Sequence, residues 1–347
     1  MKKSNLLILF AIVLLNACSF NEKTIDTTTE HYRIFMFDNT DKTDYFYTVT
    51  DIENPAKDMI TNANGSKIKS DISALRYFRD EVYFISPAGG KVMVYNSTDF
   101  KLSGEIDCTT YGFAPKDIAF HAGATSAFII GKNSDQLLVV NLEQKRVTNA
   151  ITLPDTIGGI AVSGPSIFVT LPNINKTVII DNQTLKISTS LDIPDHPELI
   201  HVSADGNQMF IVAPGIGNYE SFAPVSVYFY SYDVKERTLI KKVLLEIKPK
   251  VLATVFRPKQ MVVTSKNLVY LTDGEFLISL DVLKNYRLKK YTETNISSLN
   301  YSKEFDGIFI TKSSTPGMEF IELKPSTGEK LNTYKIYPES ALILPLK

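Results

Sequence analysis

The chain of 347 residues contains no tryptophan, only two cysteines and no excess of either charge. Its 37 basic and 38 acidic residues leave a formal net charge of -1, and no stripe of lysine and arginine is interleaved with aromatics. This balance disfavours nucleic-acid binding, which needs a basic surface. Because Cys18 belongs to an N-terminal signal described below, no intramolecular disulfide is expected, and Cys108 is expected to be an inert, half-buried thiol.

The sequence also lacks the short motifs of common catalytic sites. It contains no P-loop, no GxSxG, no HExxH and no CxxC. We therefore favour binding over catalysis, and we predict no cofactor and no metal site.

Short apolar runs separated by turn residues fill the chain. Residues 158–194 contain four of them: Gly159-Ile-Ala-Val-Ser163, Ser166-Ile-Phe-Val-Thr170, Thr177-Val-Ile-Ile-Asp181 and Ile187-Ser-Thr-Ser-Leu-Asp-Ile193. Each run is rich in β-branched or aromatic residues, and Gly, Pro, Asn or Asp bound it, which predicts a four-stranded meander. One meander of this size cannot bury its own faces, so we expect it to recur.

The meander does recur along the chain. First strands align on Ser73-Ala-Leu, Asp117-Ile-Ala-Phe, Gly159-Ile-Ala-Val, Glu198-Leu-Ile-His, Gln260-Met-Val-Val and Ser297-Ser-Leu-Asn. Near-constant spacing of such units predicts an all-β fold with radial repetition, a β-propeller. Strand-like runs at both ends, Tyr32 to Phe37, Tyr45 to Thr50 and Ser340 to Pro345, extend the prediction. It is a seven-bladed β-propeller of four-stranded antiparallel blades over residues 31–347, whose last blade is closed by the N- and C-terminal strands. The missing tryptophans disfavour the quinoprotein propellers, whose blades resemble one another through repeated tryptophans.

The N-terminus has the pattern of an export signal. Lys2 and Lys3 precede an apolar run from Leu6 to Leu15, which is too short to span a bilayer. The following Leu15-Asn-Ala-Cys18 resembles the lipobox of bacterial lipoproteins. The resemblance implies a signal peptide over residues 1–17, a lipidated (palmitate-bearing) Cys18, a flexible tether over residues 18–30, and an outer-membrane protein held by its lipid, in a leaflet that the sequence leaves open.

A second resemblance lies in one predicted hairpin. His201-Val-Ser-Ala-Asp-Gly-Asn-Gln-Met-Phe-Ile-Val212 resembles the S-x-D-G-x-x-x-Y-V hairpin of YVTN/YncE-like seven-bladed propellers. A lipobox before such a propeller is also similar in layout to surface lipoproteins of the Bacteroidota that assist outer-membrane transporters, including the vitamin B12-capturing BtuG type. The resemblance implies a scaffold that binds a small-molecule ligand, a transporter or another envelope protein. No ligand residue carries over by motif.

Candidate site residues are those in loops on one face of the predicted propeller, around its channel, where function usually lies. For ligand or partner binding we select His196, Glu198, Tyr219, Glu220, Phe222, Arg257, Lys259, Asn133 and Asn173. Asp117, Asp155, Asp195 and Lys312 lie in the same set of loops. Tyr219, Glu220 and Phe222 belong to an insertion that would stack on a flat or sugar-like ligand or pack onto its own rim.

Two alternatives to a binding scaffold stay open. Scattered residues such as His196, Glu198 and Arg257 imitate the channel-face sites of propeller lactonases, which makes a hydrolase the second interpretation. An outer-membrane assembly factor is the third. His196 and His201 have odd spacing, so in a strand they would point to opposite faces and not share a metal ion. We expect His196 at the channel mouth and His201 in the core.

Overall fold

The computed structural model describes residues 32–38, 43–49, 59–61, 72–99, 101–123, 125–215, 226–245, 256–303, 305–313, 318–336 and 341–346, with side chains from 72 to 333 in these ranges. All regular structure in them is β-strand apart from three short 3₁₀ helices, Thr109–Tyr111, Pro172–Ile174 and Val282–Lys284. No helix among these residues is long and apolar enough to cross a membrane.

Six blades are each built from four consecutive antiparallel strands. Blade 1 is β4 (Ala74–Phe78), β5 (Glu81–Ser86), β6 (Lys91–Asn96) and β7 (Leu102–Asp107); blade 2 is β8 (Pro115–Phe120), β9 (Ser126–Gly131), β10 (Gln136–Asn141) and β11 (Arg146–Thr152); blade 3 is β12 (Ile160–Ser163), β13 (Ser166–Leu171), β14 (Lys176–Asp181) and β15 (Ile187–Asp192); blade 4 is β16 (Leu199–Val202), β17 (Gln208–Ala213), β18 (Tyr228–Asp233) and β19 (Leu239–Leu244); blade 5 is β20 (Gln260–Val263), β21 (Leu268–Thr272), β22 (Leu277–Asp281) and β23 (Arg287–Lys290); blade 6 is β24 (Ile296–Ser302), β25 (Gly307–Ser313), β26 (Met318–Leu323) and β27 (Lys330–Ile336).

The predicted number of blades is corrected from seven to six. Six four-stranded blades have packed faces of described side chains, whereas the predicted seventh draws on the two chain ends, of which only the backbone is described. There, β1 (Tyr32–Asp38), β2 (Thr43–Val49), β3 (Met59–Thr61) and β28 (Ala341–Leu346) pair in the order β28-β1-β2-β3. The number of blades with packed side-chain faces is therefore six.

Burial along each blade explains the sequence pattern. The second and third strands, such as β13 and β14, are buried almost throughout because blades cover both of their faces. The outer fourth strands alternate between exposed and partly buried residues, as in β15. In five blades the ladder between third and fourth strands shifts register at the same place, for example between Ile179 and Ile180. Such a bulge increases the twist of the outer strand.

Inner strands of neighbouring blades approach closely between blades 3 and 4. A Cβ built on Gly159 would lie 2.6 Å from the carbonyl oxygen of Glu198, so no larger residue fits without movement. The Thr170 hydroxyl closes the same junction, since it donates to the Glu198 carbonyl at 3.2 Å and accepts from the Gly159 amide at 2.7 Å. This junction positions the loop that precedes β16.

Candidate functional site

The loops lie on two faces of the propeller. One face carries the loops that connect each fourth strand to the first strand of the next blade, and also the loops between second and third strands. We call it the linker face. The turns between first and second strands lie on the opposite face. On the opposite face, adjacent turns are bonded to each other. His121 Nε2 donates to the Gly164 carbonyl at 2.9 Å, and the Ser163 hydroxyl donates to the Gly206 carbonyl at 3.3 Å. Lys266 and Asp306 form an ion pair of 3.1 Å.

On the linker face, the structure brings two of the predicted site residues together. His196 Nε2 lies 3.5 Å from Glu198 Oε1, and the two side chains are 21% and 44% exposed, so a partner from solvent can reach both. The His196 amide donates to Asn175 Oδ1 at 2.8 Å, which fixes the loop against blade 3. His196 Nδ1 is buried and has no hydrogen-bond partner among the described residues.

The backbone of this loop is strained. Asp195 and His196 are consecutive non-glycine residues with φ of 70° and 64°, in the left-handed region that L-residues rarely adopt. Asp195 is held there by the Tyr230 hydroxyl at 2.9 Å and by Lys242 Nζ at 3.2 Å. Burial raises the pKa of Tyr230, and its hydrogen bond to the Asp195 carboxylate raises that pKa further, so the phenol stays a donor. Lys242 also lies 3.7 Å from the centre of the Tyr228 ring.

The equivalent loop one blade earlier is anchored by its own carboxylate. Asn173, a predicted site residue, donates to Asp155 Oδ1 at 3.1 Å and to the Thr156 hydroxyl at 2.8 Å. Burial alone would raise the pKa of Asp155, but hydrogen bonds from Asn173 and Thr156 outweigh it and lower the pKa. Asn173 therefore supports the loop, although it is exposed on the same face as His196.

The other predicted residues do not join this cluster. Asn133 is exposed and lies in a turn of blade 2 with φ of 54°, which Asn tolerates. Arg257 and Lys259 precede β20 in blade 5, and the Lys259 amide donates to the Thr272 carbonyl at 2.7 Å. Cys18 and the insertion residues, Tyr219, Glu220 and Phe222, lie outside the described residues.

Polar side chains also line the inner strands. Arg76 on β4 and Asp117 on β8 form an ion pair of 2.8 Å between blades 1 and 2. His201 on β16 is exposed to solvent. The surrounding protein nevertheless desolvates the imidazole and lowers its pKa. The charge of Arg76 lowers that pKa further, and the charge of Asp117 raises it. An imidazole that solvent reaches and protein surrounds lies in the channel. The expectation of a core His201 is therefore wrong.

The error over His201 is a register slip of one residue. The sequence alignment placed Glu198 level with Asp117. The ladders instead make Leu199 equivalent to Asp117, because they pair Leu199 with Val212 and Asp117 with Ile130, the same position of the second strand. A slip of one residue moves every side chain to the other face of a strand.

Sequence reasoning missed Tyr230 and Lys242 at the linker face and Arg76 in the channel. Tyr230 and Lys242 lie 35 and 47 residues from the carboxylate that they hold. Among the described residues, no group of three or more His, Cys, Asp and Glu side chains is placed to hold a metal ion.

Comparison with protein families gives one match that covers most of the chain. Residues 35–306 match the family described as "Domain of unknown function (DUF5074)". The chain belongs to this family. A comparison with curated proteins finds no match.

Solved structures show the same fold at low sequence identity. The chain is similar to a Kuenenia stuttgartiensis hydrazine synthase, with a TM-score of 0.59 and 14% identity over 74% of this chain and 79% of that one. It is also similar to the β-propeller domain of Myceliophteria thermophila Cps50 (Swd1), with a TM-score of 0.55 and 9% identity over 77% of this chain and 86% of that one. At these identities the likeness shows the β-propeller fold alone.

Proposed function

We propose that this DUF5074 propeller is a lipid-anchored binding module of the bacterial cell envelope. Its lipobox-like Leu15-Asn-Ala-Cys18 would attach it to the outer membrane, and its linker face would bind a small-molecule ligand or a loop of an outer-membrane transporter. This assignment extends the resemblance of the His201 to Val212 hairpin to YVTN/YncE-like propellers and of the layout to BtuG-type lipoproteins.

One observation carries the proposal: the strained pair Asp195 and His196. Each non-glycine residue in the left-handed region costs of the order of 1 kcal/mol, and such strain persists only where surrounding contacts enforce it. Here Tyr230 and Lys242 enforce it, and the result is an accessible imidazole beside the Glu198 carboxylate. Other turns, such as Arg79–Asp80 and Asn285–Tyr286, also have consecutive residues in the left-handed region. The Asp195–His196 pair supports binding because it presents this imidazole and carboxylate together on the linker face.

The anchor and the face are tested separately. A Cys18→Ser chain should leave the membrane fraction, while the wild type stays with it after a carbonate wash. Affinity capture from gently solubilised membranes should recover a transporter with the wild type, and a His196→Ala/Glu198→Gln chain should lose it. The matched control is Lys266→Ala on the opposite face, which should retain it.

Three results would contradict the proposal. A Cys18→Ser chain that stays in the membrane refutes the anchor. Recovery of the barrel-insertion machinery in place of a transporter supports the assembly-factor alternative. Hydrolysis of lactones or esters that the His196→Ala/Glu198→Gln change abolishes supports the hydrolase.

A further inference from the structure

One position in the first strand of each of the six blades lies at a shared level of the channel. In every blade, the second strand contributes a buried aromatic at the same place: Tyr83, Phe128, Phe168, Phe210, Tyr270 and Phe309. The first-strand residues paired with these aromatics are Arg76, Ala119, Ala161, His201, Val262 and Asn300. Because the blades share this register, the six residues lie at the same height along the channel. We call them the channel ring.

Small and polar residues are distributed unevenly around the channel ring. Blades 2 and 3 contribute alanines at this position: Ala119, which is partly buried, and Ala161, which is buried in the core between blades. Blades 1 and 4 contribute Arg76 and His201, the two ring members with groups that ionise, and both are accessible to solvent. A molecule in the channel at this height would therefore meet no polar side chain at this position from blades 2 and 3, and would meet the hydrogen-bonding groups of Arg76 and His201 from blades 1 and 4.

The hydrogen-bonding state of His201 follows from its neighbour. Its Nδ1 lies 2.8 Å from the Val202 carbonyl oxygen, which can only accept, so Nδ1 carries the proton and donates. With the imidazole neutral, Nε2 is then an acceptor. Burial favours this neutral form by lowering the pKa of His201.

Arg76 contributes hydrogen-bond donors, and its positive charge is balanced by a neighbouring carboxylate. Its Nη2 donates to Asp117 Oδ2 at 2.8 Å, and its Nη1 donates to the Leu75 carbonyl at 3.0 Å. A guanidinium has five N–H donors, so it has capacity beyond these two bonds. The Asp117 carboxylate balances its charge, and the neutral His201 adds none.

We propose that the channel ring binds a small, neutral, hydroxyl-rich molecule of the sugar or polyol class. A hydroxyl group both donates and accepts, so adjacent hydroxyls satisfy His201 Nε2 and the Arg76–Asp117 pair at once. A charged ligand would give up its hydration in the channel without a net countercharge to replace it. This inference does not rest on the linker-face proposal, because it involves different residues.

The test uses the full chain with ¹⁵N-labelled histidines, of which there are four. Glucose, N-acetylglucosamine and myo-inositol are titrated separately, with citrate as the charged comparison. At least one neutral compound should shift the His201 resonance saturably while the His196 resonance stays in place. Arg76→Lys should weaken this binding about tenfold, the equivalent of one charge-assisted hydrogen bond.

The control variant is His121→Ala, since His121 bonds the Gly164 carbonyl on the opposite face. It should leave binding unchanged, and a His201→Ala chain identifies the resonance. The proposal is overturned if none of the neutral compounds shifts His201, if only citrate does, or if Arg76→Lys binds as well as the wild type. A shift of His196 alone would place binding at the linker face and also overturn it.

Discussion

The hydroxyl of Tyr230 on β18 donates a hydrogen bond of 2.9 Å to the carboxylate of Asp195, in the loop that precedes β16. This bond joins the third strand of blade 4 to the strained residue beside His196. Tyr230→Phe should therefore release the loop. We expect a loss of about 1–2 kcal/mol in the free energy of unfolding, measured by urea titration, because a charged acceptor loses its donor.

Tyr232→Phe is the matched control, because its ring lies in the same aromatic row, 6.5 Å from that of Tyr230, and its hydroxyl does not bond Asp195. It should cost less than Tyr230→Phe. Equal losses for the two variants would show that the Asp195 bond contributes nothing specific.

Gly159 should be intolerant of any side chain. In Gly159→Ala the new methyl would lie 2.6 Å from the Glu198 carbonyl oxygen, so blades 3 and 4 would have to separate. We expect a loss of about 1–3 kcal/mol in the free energy of unfolding, as for other overpacked sites. Gly123→Ala is the control, since its nearest described atom, His121 Cε1, is 3.8 Å away. Equal stability of the two variants would contradict the close approach of blades 3 and 4 at Gly159.

Glu81 and Lys145 join blades 1 and 2 by a half-buried ion pair of 2.8 Å. Burial raises the pKa of Glu81, but hydrogen bonds from Lys145, Tyr83 and Ser103 outweigh it, and the pKa falls below its usual 4.5. A carboxylate with a lowered pKa stabilises the fold above its unfolded value, and that stability is lost as pH falls through the lowered pKa.

Lys145→Met should therefore destabilise the chain by about 1–3 kcal/mol at pH 7 and by much less near pH 3, measured by urea titration at each pH. Lys91→Met is the control, because the Lys91–Glu105 pair has both side chains 40% exposed. Such pairs contribute about 0–1 kcal/mol. A Lys145→Met effect that does not change with pH would contradict the account.

Cys108 should not react in the folded protein. It is fully buried, and burial, with a smaller contribution from Asp107, raises the pKa of its thiol to about 12. In a Cys18→Ser chain, where Cys108 is the remaining cysteine, iodoacetamide should label it in denaturant and not in buffer at pH 8. Rapid labelling in buffer would show that blades 1 and 2 do not pack around it.

The repeat was predictable because strand burial leaves a strong signature. Second strands such as Ser166–Leu171 are mainly apolar and almost fully buried, and turn residues such as Gly164 separate them from their neighbours at regular intervals. The first strands are short, four residues in β12 and β16, and give little on which to fix a register. The slip at His201 followed from that brevity, and with it the channel ring was missed.

The linker-face cluster was only half predictable. His196 and Glu198 are close in sequence, and their loop position identified them. The side chains that hold their loop, Tyr230 and Lys242, belong to strands whose pairing brings distant residues together. Nothing in the local sequence marks those contacts.

Site-specific photo-crosslinking in cells tests the central claim, binding through the linker face, most directly. A photoreactive phenylalanine replaces one exposed residue at a time: Asn133 or Lys259 on the linker face, and Ala204 or Lys266 on the opposite face. The account predicts a discrete adduct with an envelope protein from the linker-face positions and none from the other two. Adducts from Ala204 or Lys266, with none from Asn133 or Lys259, would contradict it.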